Sequence, residues 1–102
     1  MELKKMAMAR ERYLKELIGI KEWIAGSLIV TERKQGNGMR PFRYLSRSIE
    51  GKNKITYVSE KHAGEFERLL RNGRRAEELF REISELTVKI IKTASKNAEG
   101  GK

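Results

Sequence analysis

Lysine and arginine side chains are concentrated between residues 33 and 54, where seven of them stand against one acidic residue, Glu50. This segment holds a net charge of +6, out of a formal +9 for the 102-residue chain. Basic side chains neutralise phosphates and release their condensed counterions, so such a segment is typical of proteins that bind nucleic acid. The predicted phosphate-binding residues are Arg33, Lys34, Arg40, Arg43, Arg47, Lys52 and Lys54.

Aromatic residues are interleaved with these cations. Phe42, Tyr44 and Tyr57 could stack on unpaired bases, as aromatic side chains do on the sheets of single-strand-binding proteins. The alternative is burial in the core, which is the commoner role of aromatic side chains. Tyr44 and Tyr57 are the candidate stacking residues, and both interpretations stay open at this point.

Residues that catalysis or metal binding would require are scarce. The chain has no cysteine and one histidine, His62, which argues against a thiolate or histidine metal site. The glutamates near the C-terminal end alternate with arginine and lysine, which is typical of a solvated helix face with ion pairs between successive turns. We therefore expect no enzyme activity, no cofactor, no metal and no small-molecule substrate.

The basic segment lies between helical patterns. Apolar residues recur every three or four positions from 2 to 25, which predicts a long N-terminal helix that Gly26 ends. Residues 27–58 alternate and are rich in β-branched side chains, which predicts a three-stranded antiparallel β-meander. The stretch 35–41 contains two glycines, an asparagine and the only proline, and it predicts a flexible loop between the first two strands.

The second predicted strand has side chains that alternate between two faces. Phe42 and Tyr44 point to one side, while Arg43, Leu45 and Arg47 point to the other. We expect one face to pack on a helix and the other to meet water. Arg43 and Arg47, on the same face, would then be placed to contact successive phosphates.

Two helices are predicted after the strands, over 60–72 and 74–96, and the tail 97–102 is predicted to be disordered. The last helix is the more strongly patterned, with a coiled-coil-like apolar seam. This seam consists of Leu79, Ile83, Leu86 and Ile90, with Phe80, Thr87 and Ile91 beside it. Its partner is either the N-terminal helix, through Leu14, Leu17 and Ile18, or the same helix of a second subunit.

These elements predict a single α+β domain. No stretch has the length of a signal peptide's apolar region or a membrane span, so we expect a cytoplasmic protein without membrane contact. An exposed apolar seam would forfeit several kcal/mol, which favours a homodimer with the helices as its scaffold.

The motifs Gly26-Ser27-Leu28, Tyr44-Leu45-Ser46-Arg47 and Tyr57-Val58, followed by a glutamate-rich helix, resemble a family of short prokaryotic proteins often associated with mobile elements. The resemblance covers roughly residues 17 to 90 and implies a nucleic-acid context without an established activity. Many relatives have a cysteine-rich segment where this chain has residues 34–39, so a metal or thiol role implied for them is not expected here.

Two functions remain open from the sequence. The first is a small basic protein that binds nucleic acid, DNA in preference to RNA, through the hairpin region. The second is a non-enzymatic protein-interaction or assembly factor that acts through its amphipathic C-terminal helix.

Overall fold

The structure is a computed structural model that describes residues 2–100 and, of these, the side chains up to residue 97. The elements in chain order are helix α1 (Leu3–Gly19), strands β1 (Ser27–Gln35), β2 (Gly38–Ile49) and β3 (Lys52–Val58), and helix α2 (Ala63–Gly100). A single 3-10 turn, Glu60–His62, precedes α2. The α+β class, with an antiparallel three-stranded sheet between an N-terminal helix and a long C-terminal helix, is confirmed.

Helix α1 is shorter than the predicted 2–25. It ends at Gly19, because Ile20 adopts an extended conformation and its N–H donates to the carbonyl of Leu17 at 3.1 Å. Glycine has a low helix propensity, and the β-branched Ile20 that follows favours extended backbone. Gly26, predicted to end this helix, instead lies in the non-helical segment before β1.

The prediction of two C-terminal helices was wrong, because α2 continues through Asn72 and Gly73 without a break. The N–H of Ile24 donates to the carbonyl of Leu69 at 3.0 Å, and the Ile24 carbonyl lies where a side chain at Gly73 would be. The Nδ2 of Asn72 donates to the carbonyl of Glu22 at 3.0 Å. Asn72 and Gly73 therefore contact the segment before β1 and do not end the helix.

Helix α2 also includes part of the predicted tail. Its last residue is Gly100, so residues 97–100 are helical where disorder was predicted. Residues 101 and 102 lie outside the described residues. Among the helices described, none has both the length and the apolar character that crossing a membrane requires.

The sheet has the order β1-β2-β3, with antiparallel pairing throughout. The predicted loop over 35–41 is mostly strand, because β1 runs to Gln35 and β2 starts at Gly38. The intervening turn is Gly36–Asn37, and Gly36 has the positive φ of 61° that type II′ hairpin turns place at this position. Whether the turn is mobile stays a prediction.

Pro41 fits within β2 because of where β3 stops. Pro41 pairs with Glu32 of β1, whereas pairing with β3 starts two residues later, at Arg43 and Val58. At Pro41 the strand therefore has only one neighbour, and proline's missing N–H costs no second ladder hydrogen bond.

The chain divides into two compact units. The sheet unit comprises residues 22–74, and the helix unit comprises residues up to 21 together with those from 75 onward. The core of the sheet unit contains Leu45, Val58, Ala63 and Leu70, with Ile24, Leu28 and Phe66 packed against them. This core lies between the Leu45 face of the sheet and the first turns of α2.

The helix unit has its own core, formed by Met6, Ala9 and Leu86. Leu3, Tyr13 and Ile90 pack against this core. Of the predicted seam, Leu79 and Leu86 are buried and Ile83 and Ile90 are half-buried. The seam therefore packs on α1 within the chain, with Leu86 in one cluster with Met6 and Ala9. Of the three α1 residues expected to contact the seam, Leu17 is half-buried and Ile18 is 76% exposed.

Candidate nucleic-acid interface

Three aromatic rings lie together on one face of the sheet. Phe42 and Tyr44 point away from the buried Leu45, and Tyr57 of β3 is paired with Tyr44 across the strands. The ring centroid of Phe42 is 6.0 Å from that of Tyr44 and 5.1 Å from that of Tyr57. We call the surface formed by Phe42, Tyr44 and Tyr57 the aromatic face.

The aromatic face is not part of the core of the sheet unit. Tyr57 is 62% exposed, and Phe42 and Tyr44 are half-buried. Ile55, two residues before Tyr57 on the same side of β3, is also exposed. Contiguous exposed apolar side chains, unlike scattered ones, mark surfaces that bind other molecules.

Arg33 lies on the aromatic face and stacks on one of its rings. Its guanidinium carbon is 3.8 Å from the ring centroid of Phe42. This cation–π contact holds the planar group over the ring while its N–H groups, which project from the edge, can still donate to a ligand.

Like charges lie directly opposite each other at two places in the sheet. Arg33 of β1 is paired with Arg40 of β2, and Arg47 of β2 is paired with Lys54 of β3. Opposed like charges destabilise a sheet. A bound polyanion would remove this repulsion. The opposed pairs are therefore more readily explained by a surface that binds an anion than by one whose charges serve only solubility.

A groove of about 510 Å³ brings cations and aromatic rings together at the β1–β2 end of the sheet. Four cationic side chains line it, together with Phe42, Tyr57 and one carboxylate, Glu60. The four cations are Arg33, Lys34, Arg40 and Arg43. With four positive groups against one negative group, the groove attracts anions and offers two rings beside them.

The seven predicted phosphate-binding residues lie on both faces of the sheet and towards both ends of β2. Arg33 and Arg40 lie on the aromatic face. The opposite face, which also supplies Leu45 to the core, holds Lys34, Arg43, Arg47, Lys52 and Lys54. The last three lie towards the turn Glu50–Gly51, at the other end of β2 from the groove.

Arg47 is held differently from the exposed cations of this group. Its side chain is half-buried, and its Nε is buried with no hydrogen-bond partner among the described residues. Arg43 and Arg47 share a face, as predicted, but Leu45 lies between them in the core. Of the two, Arg43 alone lines the groove.

A serine and a histidine side chain also meet, at the 3-10 turn that follows β3. Ser59 Oγ and His62 Nδ1 are 2.9 Å apart, but this exposed contact spans one 3-10 turn and involves no carboxylate. Within residues 2–100, no group of three or more histidine, cysteine, aspartate or glutamate side chains is placed to hold a metal ion.

Sequence reasoning missed the Arg33–Phe42 stack, the opposed Arg33–Arg40 pair and the position of Glu60 in the groove. All three depend on strand register, and the signal for the first two was the turn. A two-residue turn at Gly36–Asn37 places Arg33 opposite Arg40 and diagonal to Phe42.

Comparisons with protein-family models, curated proteins and solved structures found no match for this chain. The interpretation of the site therefore depends on its own geometry, and the resemblance noted from sequence motifs stays an expectation.

Proposed function

We propose that this protein binds nucleic acid, DNA in preference to RNA, through the aromatic face and the adjoining groove. The observation that supports this most directly is that four cationic side chains line the same groove as Phe42 and Tyr57. Cations without aromatic rings would suit any polyanion, whereas nucleic acids combine a phosphate backbone with flat bases.

Electrostatics supply the general affinity in this proposal. Arg33, Lys34, Arg40 and Arg43 contact backbone phosphates and release counterions, which makes binding sensitive to salt but not to base sequence. Lys52 and Lys54 lie at the far end of the sheet and provide long-range attraction to the strand. The protein acts as a binding module and has no catalytic step.

The test replaces both arginines of the aromatic face, Arg33→Gln with Arg40→Gln, and measures affinity by fluorescence anisotropy over a range of salt concentrations. For each phosphate that the variant no longer binds, the slope of log K against log salt should fall by roughly 0.7 on single strands and roughly 0.9 on duplex. The variant loses both the repulsion between the opposed arginines and the Arg33–Phe42 cation–π contact, so the free energy of unfolding should change by less than about 1 kcal/mol.

The matched control is Lys4→Gln with Lys5→Gln, which removes two exposed positive charges from α1. Its salt slope should stay at the wild-type value. An equal decrease of the salt slope in both variants would show that only the net charge of the protein matters. An unchanged slope in the Arg33/Arg40 variant would contradict the proposed binding surface.

A second candidate function has one observation in its favour. Although the seam packs within the chain, Phe80 and Ile91 beside it are 67% and 61% exposed. Their spacing puts them on one side of α2. This apolar surface suits an assembly role, and we propose a second copy of the chain as its partner, so that the helices form the scaffold of a homodimer.

A further inference from the structure

Tyr57 is the most open of the three rings on the aromatic face. The guanidinium carbon of Arg33 lies 3.8 Å from the ring centroid of Phe42 and covers one side of that ring. Phe42 and Tyr44 are both half-buried. Tyr57 is 62% exposed, and its centroid is 5.1 Å from that of Phe42. Arg33, Phe42 and Tyr57 therefore form one contiguous cluster, in which the rings of Phe42 and Tyr57 are inclined by 30° and Tyr57 has the most accessible surface.

The open surface of Tyr57 distinguishes between forms of nucleic acid. Inside a duplex the faces of the bases are covered by neighbouring base pairs, so an aromatic ring outside meets only edges, sugars and phosphates. In a single strand each base has a π-face that can stack on a side chain.

The side chains around Tyr57 also favour a single strand over a duplex. Ile55, which is exposed on the same side of β3, offers an apolar contact to a base or sugar but nothing to a phosphate. The cations lie to one side, with Arg33 and Arg40 at the β1–β2 end of the aromatic face. The rings lie partway along the strands, and the arginines lie nearer the turn between β1 and β2. This arrangement suits a single nucleic-acid strand whose bases face the rings and whose backbone follows the arginines.

We propose that the aromatic face binds single-stranded nucleic acid, with a base stacked on Tyr57 and the adjoining phosphates bound by Arg33 and Arg40. This inference rests on the proposed function and narrows it to one substrate class. Arg33 is already held over Phe42 in the free protein, so less side-chain freedom is lost when its N–H groups meet a phosphate.

The test compares a labelled oligothymidylate with a duplex of the same length in fluorescence anisotropy titrations. The wild-type protein should bind the single strand more tightly. Tyr57→Ala should weaken single-strand binding roughly 5- to 150-fold, the range for loss of one base–aromatic stack, and should leave duplex binding unchanged. Tyr57→Phe keeps the ring and should retain the wild-type affinity.

Two further measurements separate stacking from damage to the fold. Tyr57→Leu keeps an apolar, strand-compatible side chain without a π-face, and it should lose as much affinity as Tyr57→Ala. In both variants the salt slope should stay at the wild-type value, because no charged side chain is removed. Trp23→Ala removes an exposed ring from the segment before β1, outside the aromatic face, and should not change binding.

The outcomes distinguish this inference from the proposed function. Duplex bound as tightly as the single strand, or full affinity in Tyr57→Leu, overturns the stacking inference and leaves nucleic-acid binding in place. If neither oligonucleotide binds to the wild-type protein at low salt, the proposed function itself is overturned.

Discussion

Arg75 and Glu16 form the best-defined ion pair in the helix unit, joining α2 to α1. The Nη2 of Arg75 donates to Glu16 Oε1 at 2.8 Å, and its Nε donates to the other carboxylate oxygen. Arg75 Nη1 also donates to Glu78 at 3.0 Å. The hydrogen bonds from Arg75 hold the pKa of Glu16 below its usual value and raise the pKa of Arg75.

The pair predicts a specific pH dependence. Because the pKa of Glu16 is depressed in the folded state, its contribution to stability is present above the ordinary glutamate pKa and is lost as the pH falls through the folded-state value. In Arg75→Gln the pKa of Glu16 should rise to its usual range, as measured by NMR titration of the side-chain carboxyl. In the control Lys5→Gln it should stay depressed, and an unmoved pKa in Arg75→Gln would refute the assignment.

At the scale of elements, the contact between Ile24 and Gly73 joins the segment before β1 to α2. A Cβ atom at Gly73 would collide with the backbone carbonyl of Ile24, which cannot swing aside as a side chain could. Gly64, in the first turn of the same helix, has no described atom within 4 Å of the corresponding position apart from its chain neighbours and the nearby backbone of its own helix. The two glycines therefore make a matched pair for mutation.

The two alanine substitutions should have opposite effects on stability. Gly64→Ala should raise the free energy of unfolding by up to about 1 kcal/mol, as expected for glycine replacement in an open helical position. Gly73→Ala should lower it by about 1–3 kcal/mol, because the backbone must move to admit the methyl group. Urea denaturation measures both, and stabilisation by Gly73→Ala would show that Ile24 does not pack as described.

The elements that could be predicted from sequence are those governed by local patterns. Alternation in β2 correctly separated Phe42 and Tyr44 from Leu45, because a strand places successive side chains on opposite faces whatever its neighbours are. The long α2 was missed at Gly73, since an Asn-Gly pair is a local stop signal and only the contact with Ile24 explains why the helix continues.

The candidate site was predictable in composition but not in arrangement. The charge of the segment 33–54 and the aromatic residues within it are evident from sequence. Which cations share a face with the rings depends on the length of the turn at Gly36–Asn37, and a loop over 35–41 would have left that undetermined. Arg33 was one of seven predicted cations, and the strand register places it over the Phe42 ring of the aromatic face.

At the scale of the whole molecule, the exposed apolar side chains of the helix unit predict self-association. Phe80 and Ile91 of α2, and Ile18 of α1, are each more than half exposed. Covering such side chains contributes roughly 1.5–3 kcal/mol each when burial is complete. A second copy of the same unit supplies equivalent apolar surface for this purpose.

Light scattering at micromolar concentration measures this directly. The wild-type protein should have twice the 11.8 kDa mass of the chain. Phe80→Ser with Ile91→Ser should give the monomer mass with the helix content unchanged, because both side chains are exposed in the single chain. Lys89→Ser, at another exposed position of α2, should remain dimeric, and a monomeric wild-type protein would remove the dimer.

Helix α2 belongs to both units, since its first twelve residues, 63–74, lie in the sheet unit and the rest in the helix unit. Starting a helix is costly because several backbone angles are fixed for the first hydrogen bond, whereas each later residue adds a bond of its own. Helix formed in one unit is therefore a nucleus from which the segment in the other unit can grow.

Two separate cores can unfold together for this reason. We expect one calorimetric transition whose measured enthalpy equals the van't Hoff enthalpy, and two resolved transitions would contradict it. The same coupling transmits local damage, so Gly73→Ala, although confined to the sheet unit, should lower the melting temperature reported by a probe in the helix unit. The shared helix thus makes the folding of each unit conditional on that of the other.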